Sequence, residues 1–240
     1  MSRAGSHPVS GDRDAIAYPA AQGGGHRYQL VLFDFDGTLA DSGDWFLSKA
    51  DELAERFKFR KINPDEIETL RGQTSRAVIK SLGIPRWKLP AIAKYLHAQL
   101  GKQAHMIALF DGVPAMIDTL YAAGIRLALV TSNSETNARK ILGPEIAARI
   151  SHFECGASLF GKARLFRRVL KRSKIPIDQA ICIGDETRDM AAAAKVGVTA
   201  GAVLWGYANK DALSACNPHY FFTDPAEVLA HILDEVRVTA

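Results

Sequence analysis

Tyr28-Gln29-Leu30-Val31-Leu32-Phe33-Asp34-Phe35-Asp36-Gly37-Thr38 is the stretch on which the fold turns. Its apolar run, 28–33, is too short for a helix and stops abruptly at an acidic, glycine-containing turn. That pattern suits a strand buried on both faces. Similar runs recur at 125–130, 180–183, 199–203 and 219–222. Helical patterns lie between them, near 113–123, 134–142, 161–173, 187–196 and 225–236. Gly124, Gly143 and Gly197 stand where C-terminal helix caps are expected. Alternation of this kind predicts an α/β fold, a doubly wound parallel sheet with helices on both faces.

One interval breaks the alternation. Residues 41–107 carry helical patterns and no convincing strand, punctuated by Gly72, Gly83, Pro85 and Pro90. They are expected to form a helical cap inserted after the first strand. Residues 28–40 and 108–240 then form the core. Residues 1–27 are rich in Gly, Ser, Pro and Ala without periodicity, and are expected to be a flexible tail.

The chain has 240 residues, 48% of them hydrophobic and 23% charged, which excludes a collagen, a disordered chain or a disulfide-stapled miniprotein. Cys155, Cys182 and Cys216 are few, odd in number and form no CxxC pair. They read as reduced thiols of a cytoplasmic protein. No apolar run reaches the roughly 18 residues of a membrane span, and the first residues lack a secretion signal's apolar core. The net charge of +4 is uninformative as a total, but its distribution is not. Stretches 69–110 and 155–177 each hold seven Lys or Arg and no Asp or Glu, so the remaining sequence carries ten more acidic than basic residues.

In open parallel sheets, ligands bind beyond the carboxyl ends of the strands. The first strand ends in Asp34 to Thr38, the second in Thr131-Ser132-Asn133, and a later one in Gly184-Asp185-Glu186-Thr187-Arg188-Asp189. Lys162 opens the basic helix. Crowded carboxylates need a cation, and all-oxygen ligands favour a hard one such as Mg²⁺. A divalent metal, an ammonium and a hydroxyl suit a phosphate dianion, and one carboxylate can attack its phosphorus.

These four segments, in this order, resemble the motifs of the haloacid dehalogenase-like hydrolases. Asp41-Ser42 and Gly184-Asp185-Glu186 resemble the branch containing phosphoglycolate phosphatases. The resemblance implies a Rossmann-like core with a helical cap. It implies that Asp34 is the nucleophile and a Mg²⁺ ligand. Asp36 protonates the leaving group, then activates water, and offers its main-chain carbonyl to the metal. Thr131 bonds the transferring phosphoryl group, Lys162 neutralises charge, and Asp185 binds the metal. Asp189 acts on the metal directly or through water. Ser132 and Asn133 share phosphate contacts. Arg71-Gly72 resembles the position of a cap specificity loop, where Arg71 clamps a second anionic group of the substrate. A second acidic residue at Asp36 favours a phosphatase over a dehalogenase, because an alkoxide leaving group needs an acid and a halide does not.

The expected function is a Mg²⁺-dependent phosphatase acting on a small anionic phosphorylated metabolite, phosphoglycolate-like, with positive charge on the cap drawing it in. A phosphomutase of the same scaffold acting on sugar phosphates is the alternative. A phosphoacceptor signalling domain is disfavoured by the helical insert, and a degenerate binding scaffold by the intact acidic set. Neither nucleic acid nor membrane is expected as a partner. Glu186 and Asp189 also suit a helix cap. The Arg164 to Arg172 cluster reads as a solvated helix face, and Trp45 and Phe46 as packing within the insert.

Overall fold

The computed structural model describes residues 26–156 and 161–234. The strands are β1 (Leu30–Phe33), β2 (Ala40–Asp41), β3 (Ala108–Leu109), β4 (Arg126–Val130), β5 (His152–Glu154), β6 (Ala180–Gly184), β7 (Thr199–Val203) and β8 (Tyr220–Phe222). Six of them form one parallel sheet in the order β5-β4-β1-β6-β7-β8. The fold is therefore the expected doubly wound α/β sheet.

Strand β1 is buried over its whole length because it is covered twice. Val31 and Phe33 join Leu127, Leu129, Ile181 and Ile183 in one core. Helices Val113–Ala122, Glu135–Arg149 and Pro225–Leu233 cover that face. Leu30 and Leu32 join Ala128, Val130, Ala180 and Cys182 on the other face. Helices Lys162–Ser173 and Thr187–Val196 cover that one. The side chains of a strand alternate between faces, so a four-residue apolar run serves both cores.

Three elements of the core differ from the sequence reading, one of them the short helix Lys210–Ser214, which no pattern announced. Strand β5 has only three residues, none patterned strongly enough to stand out. The helix expected to stop at Gly143 resumes: Gly143 has φ +73°, Pro144 starts a second helical piece, and the chain stays helical to Arg149. The other helices begin and end within a few residues of expectation, and Gly197 caps its helix with φ +87°.

Strands β2 and β3 pair antiparallel, Ala40 with Leu109 and Asp41 with Ala108. They form the double stem through which the chain leaves the sheet and returns. Between them lie helices Gly43–Ser48, Ala50–Phe57, Ile67–Arg71, Ser75–Ser81 and Leu89–Gln103. The expected tail lies almost entirely outside the described residues; Arg27 is described, and its guanidinium donates to the Tyr220 hydroxyl at 3.2 Å.

β1 lies at the point where the strand order reverses, between β4 and β6. Its carboxyl end is the crevice where such sheets bind ligands. No described helix is long and apolar enough to cross a membrane.

Candidate active site

Phe33 is level with Leu129 and Ile183 across the sheet, so Asp34 leaves β1 beside the ends of both neighbours. The Asp34 amide donates to the Ile183 carbonyl at 2.9 Å. The chain then turns tightly, with the amides of Leu39 and Ala40 both donating to the Phe35 carbonyl. Gly37 at φ +80° permits that turn, and a side chain there would meet the Asp185 carboxylate at 2.3 Å. Phe35 is driven into the core. Asp34 and Asp36 flank it, both buried.

The two carboxyls have different surroundings. Asp34 Oδ1 accepts from the Phe35 amide at 2.7 Å, and Oδ2 lies 2.6 Å from Lys162 Nζ and 3.7 Å from Arg188 Nη2. Burial raises its pKa, but the Lys162 and Arg188 charges and these hydrogen bonds outweigh burial and hold it below the usual value. Asp36 accepts from Ser42 Oγ at 3.0 Å and Asn133 Nδ2 at 3.2 Å. Burial first, and the Asp34 charge second, raise its pKa to about 6.

Lys162 opens its helix and is buried with Nζ between Asp34 and Asp189, ion-paired with both. Burial lowers its pKa, but Asp189 and Asp34 more than reverse the effect, so it remains an ammonium. The Asp185 carboxylate is fixed by Thr38 Oγ1 at 2.7 Å and the Tyr207 amide at 2.8 Å. Burial and then the charges of Asp34, Glu186 and Asp189 push its pKa well up. Asp189 is raised to about 7 by burial and Asp34.

Three carboxylates, Asp34, Asp185 and Asp189, bring oxygens within 4.8 Å of one another. They are buried, mutually repelling and made only of hard oxygen donors, a set that fits Mg²⁺. Asp36 is outside that set and presents its side chain to Ser42 and Asn133 instead. Glu186 is turned away to Arg188 Nη2 at 2.6 Å and Ser75 Oγ at 2.6 Å. Asp189 joins the acidic cluster and also accepts from the Glu186 amide at 3.1 Å, closing the helix start.

Thr131 is buried at the end of β4, where its Oγ1 accepts from the Asn133 amide at 3.0 Å. Asn133 is buried and fixed by Ser134 and Asn137, with its amide nitrogen turned to Asp36. Ser132 receives Arg188 Nη1 at 3.5 Å, and both line the cavity.

That cavity, about 850 Å³, lies between cap and sheet. Arg71 borders it with its guanidinium turned to the main chain. Its guanidinium donates to the carbonyls of Tyr207 at 3.0 Å and Gly206 at 3.2 Å, and lies 3.6 Å from Glu68. Arg71 therefore fastens the cap to the 206–207 loop, a contact the clamp expectation did not include. Gly72 is not in the cavity lining; it sits beside Asn209. The cap's positive charge also does not surround the cavity. Of the seven basic residues in 69–110, only Arg71 and Arg86 line it. Trp45 is buried and bonded to Gln103 Oε1, as packing requires, whereas Phe46 borders the cavity edge-on to Tyr207.

Sequence reading missed Arg188, Tyr207 and the positioning role of Ser42. Arg188 is the lone basic residue within the acidic segment 184–189, which is a usable signal. Tyr207, bonded to Ser42 Oγ at 2.6 Å and holding Asp185 by its amide, follows a turn with no motif to mark it. The basic helix also has more structure than a solvated face: Arg168 and Arg172 bracket the buried Glu154 carboxylate, each at 2.8 Å.

Comparison with known proteins agrees with this geometry. The profile of the haloacid dehalogenase-like hydrolases matches residues 31–203. A phosphoglycolate phosphatase of Synechococcus elongatus is 29% identical over 210 residues, covering 87% of this chain and 99% of that one. A protein of Mycobacterium tuberculosis named tyrosine-protein kinase PtkA is 30% identical over 196 residues, covering 78% of this chain and 66% of its own. The solved structure of a haloacid dehalogenase-like family hydrolase from Streptococcus pneumoniae superposes with a TM-score of 0.70 at 22% identity, covering 85% and 98% of the two chains.

Proposed function

The chain belongs to the haloacid dehalogenase-like hydrolases, and from that premise we propose a Mg²⁺-dependent phosphatase that hydrolyses a phosphate monoester through a phosphorylated Asp34. The observation that carries this reading is the pair of unlike carboxyls at the end of β1. Asp34 is held ionised beside Lys162 and Arg188, while Asp36, raised to about 6, can carry a proton. Two carboxyls with pKa values driven apart suit a nucleophile and a general acid.

The chemistry balances on this chain's own groups. An Asp34 oxygen attacks phosphorus and the ester P–O bond breaks. The departing alcohol takes the Asp36 proton. Asp36, now a carboxylate, takes a proton from water as the water oxygen attacks phosphorus, and the bond to Asp34 breaks to release inorganic phosphate. Lys162 and Arg188 offset charge on the phosphoryl oxygens, and Thr131 and Ser132 supply hydroxyls at the neighbouring strand end. Asp34, Asp185 and Asp189 would hold Mg²⁺, which when bound supplies charge neutralisation to the phosphoryl group.

Phosphoglycolate, the substrate in the name of the Synechococcus relative, serves as a reference ester. Phosphate release from a panel of monoesters with Mg²⁺ tests the reading. Turnover is expected with Mg²⁺ and lost in EDTA. Equal turnover by Asp34→Asn, with reversion of the amide excluded by mass, would overturn it.

A further inference from the structure

The cap-side wall of the cavity is formed largely by Ile67, Leu70, Val78, Ile79, Leu89 and Leu96. All six are only half-buried, and helices Ile67–Arg71 and Ser75–Ser81 contain no fully buried residue. Amphipathic helices normally press such faces against one another. Here the apolar faces border open space instead, and that space is continuous with the catalytic end, because Asp36, Ser132, Asn133 and Arg188 line the same cavity. Its volume of about 850 Å³ lies high in the roughly 300–1,000 Å³ range of pockets that enclose a drug-sized ligand. A two-carbon acid would leave most of it unfilled, and on the cap side the polar lining of Arg71, Gln73, Ser75, Arg86 and His97 is outnumbered by aliphatic side chains, beside which a charge is poorly solvated. A sugar would meet the same wall with its hydroxyls.

We propose that the cavity receives the alcohol portion of the substrate, and that the substrate is a phosphate monoester of an alkyl or aryl alcohol with an extended apolar body. This rests on the phosphatase reading. The reaction is unchanged: the same P–O bond breaks, and the apolar alcohol leaves with the Asp36 proton.

Binding of n-alkylphosphonates, methyl through octyl, to the Mg²⁺-loaded protein by calorimetry tests the cavity without requiring turnover. Burial of a methylene should tighten Kd by about fourfold per carbon until the cavity is filled. Octylphosphonate should bind far more tightly than phosphonoacetate. Val78→Asp should remove most of the gain for octylphosphonate and leave methylphosphonate unchanged. Val78→Thr, a gentler change on a half-buried site, should reduce it several-fold. Kd values flat across the series, or tightest for phosphonoacetate, with small esters still hydrolysed, overturn the apolar-substrate inference alone. A steep chain-length dependence with no hydrolysis of any alkyl, aryl or small phosphate ester overturns the phosphatase reading instead.

Discussion

Lys162→Met keeps the length of a side chain buried between two carboxylates and removes only its charge. Nζ lies 2.6 Å from Asp34 Oδ2 and bonds to Asp189 as well. At an effective dielectric constant of ~20, two unit charges that close interact by roughly 6 kcal/mol before desolvation is counted. Desolvation of the ammonium offsets much of this, and removing one partner of a buried pair costs about 3–5 kcal/mol net. A domain of this size loses about 2–4 °C of Tm per kcal/mol, so Tm should fall by about 6–20 °C in EDTA. Mg²⁺ should recover more of that loss in the variant than it adds to the parent, since the same carboxylates are relieved. Turnover should fall at least about 10²–10³-fold, the usual effect of losing a group aimed at developing charge. Adding Asp189→Asn should restore part of the stability, by deleting one orphaned charge, without restoring turnover. Differential scanning calorimetry and initial rates provide both readouts. A variant with turnover within tenfold of the parent and an unchanged Tm would refute the counter-ion role given to Lys162.

Other outcomes follow from the same geometry. Asp36→Asn should slow hydrolysis of alkyl phosphates by about 10²–10⁴-fold, and 4-nitrophenyl phosphate less, because nitrophenolate leaves without a proton. Parallel rates on the two esters check this. Arg188→Lys shortens the reach of a charge placed 3.7 Å from Asp34 and replaces a guanidinium whose buried Nε has no partner among the described residues. Inhibition constants for inorganic phosphate should rise several-fold. In Gly206→Ala the added carbon would lie 2.2 Å from Asp185 Cβ. It should cost about 1–3 kcal/mol in denaturant unfolding and weaken Mg²⁺ binding in calorimetry, as Asp185 is displaced.

How much of this was legible in sequence depended on whether a feature was local. Strand β1 and its acidic turn were readable because burial, strand length and chemistry coincide within eleven residues. The later strands were readable because each is an apolar run between helical patterns. β5 was not, since three residues without alternation carry no period. The acidic cluster was legible as residue types at strand ends, and parallel topology then brought Asp34, Asp185 and Asp189 together. Arg71 illustrates the limit. Its charge suggested a substrate clamp, but its partners are main-chain carbonyls more than a hundred residues away, which no local pattern encodes. The character of the cavity was hidden for a related reason. Charged residues of the cap stand out in a sequence, yet the aliphatic faces of two short helices form much of the wall.

The central claim is that Asp34 carries the phosphoryl group. Rapid acid quench of the Mg²⁺-loaded protein during turnover of a monoester, followed by peptide mass spectrometry, tests it directly. The account predicts a phosphoryl adduct on Asp34 that forms and decays within a turnover, is absent from Asp34→Asn, and accumulates in a variant impaired at Asp36 when the ester is 4-nitrophenyl phosphate, whose leaving group needs no acid. Turnover with no adduct at any time, or an adduct confined to another residue, would contradict it.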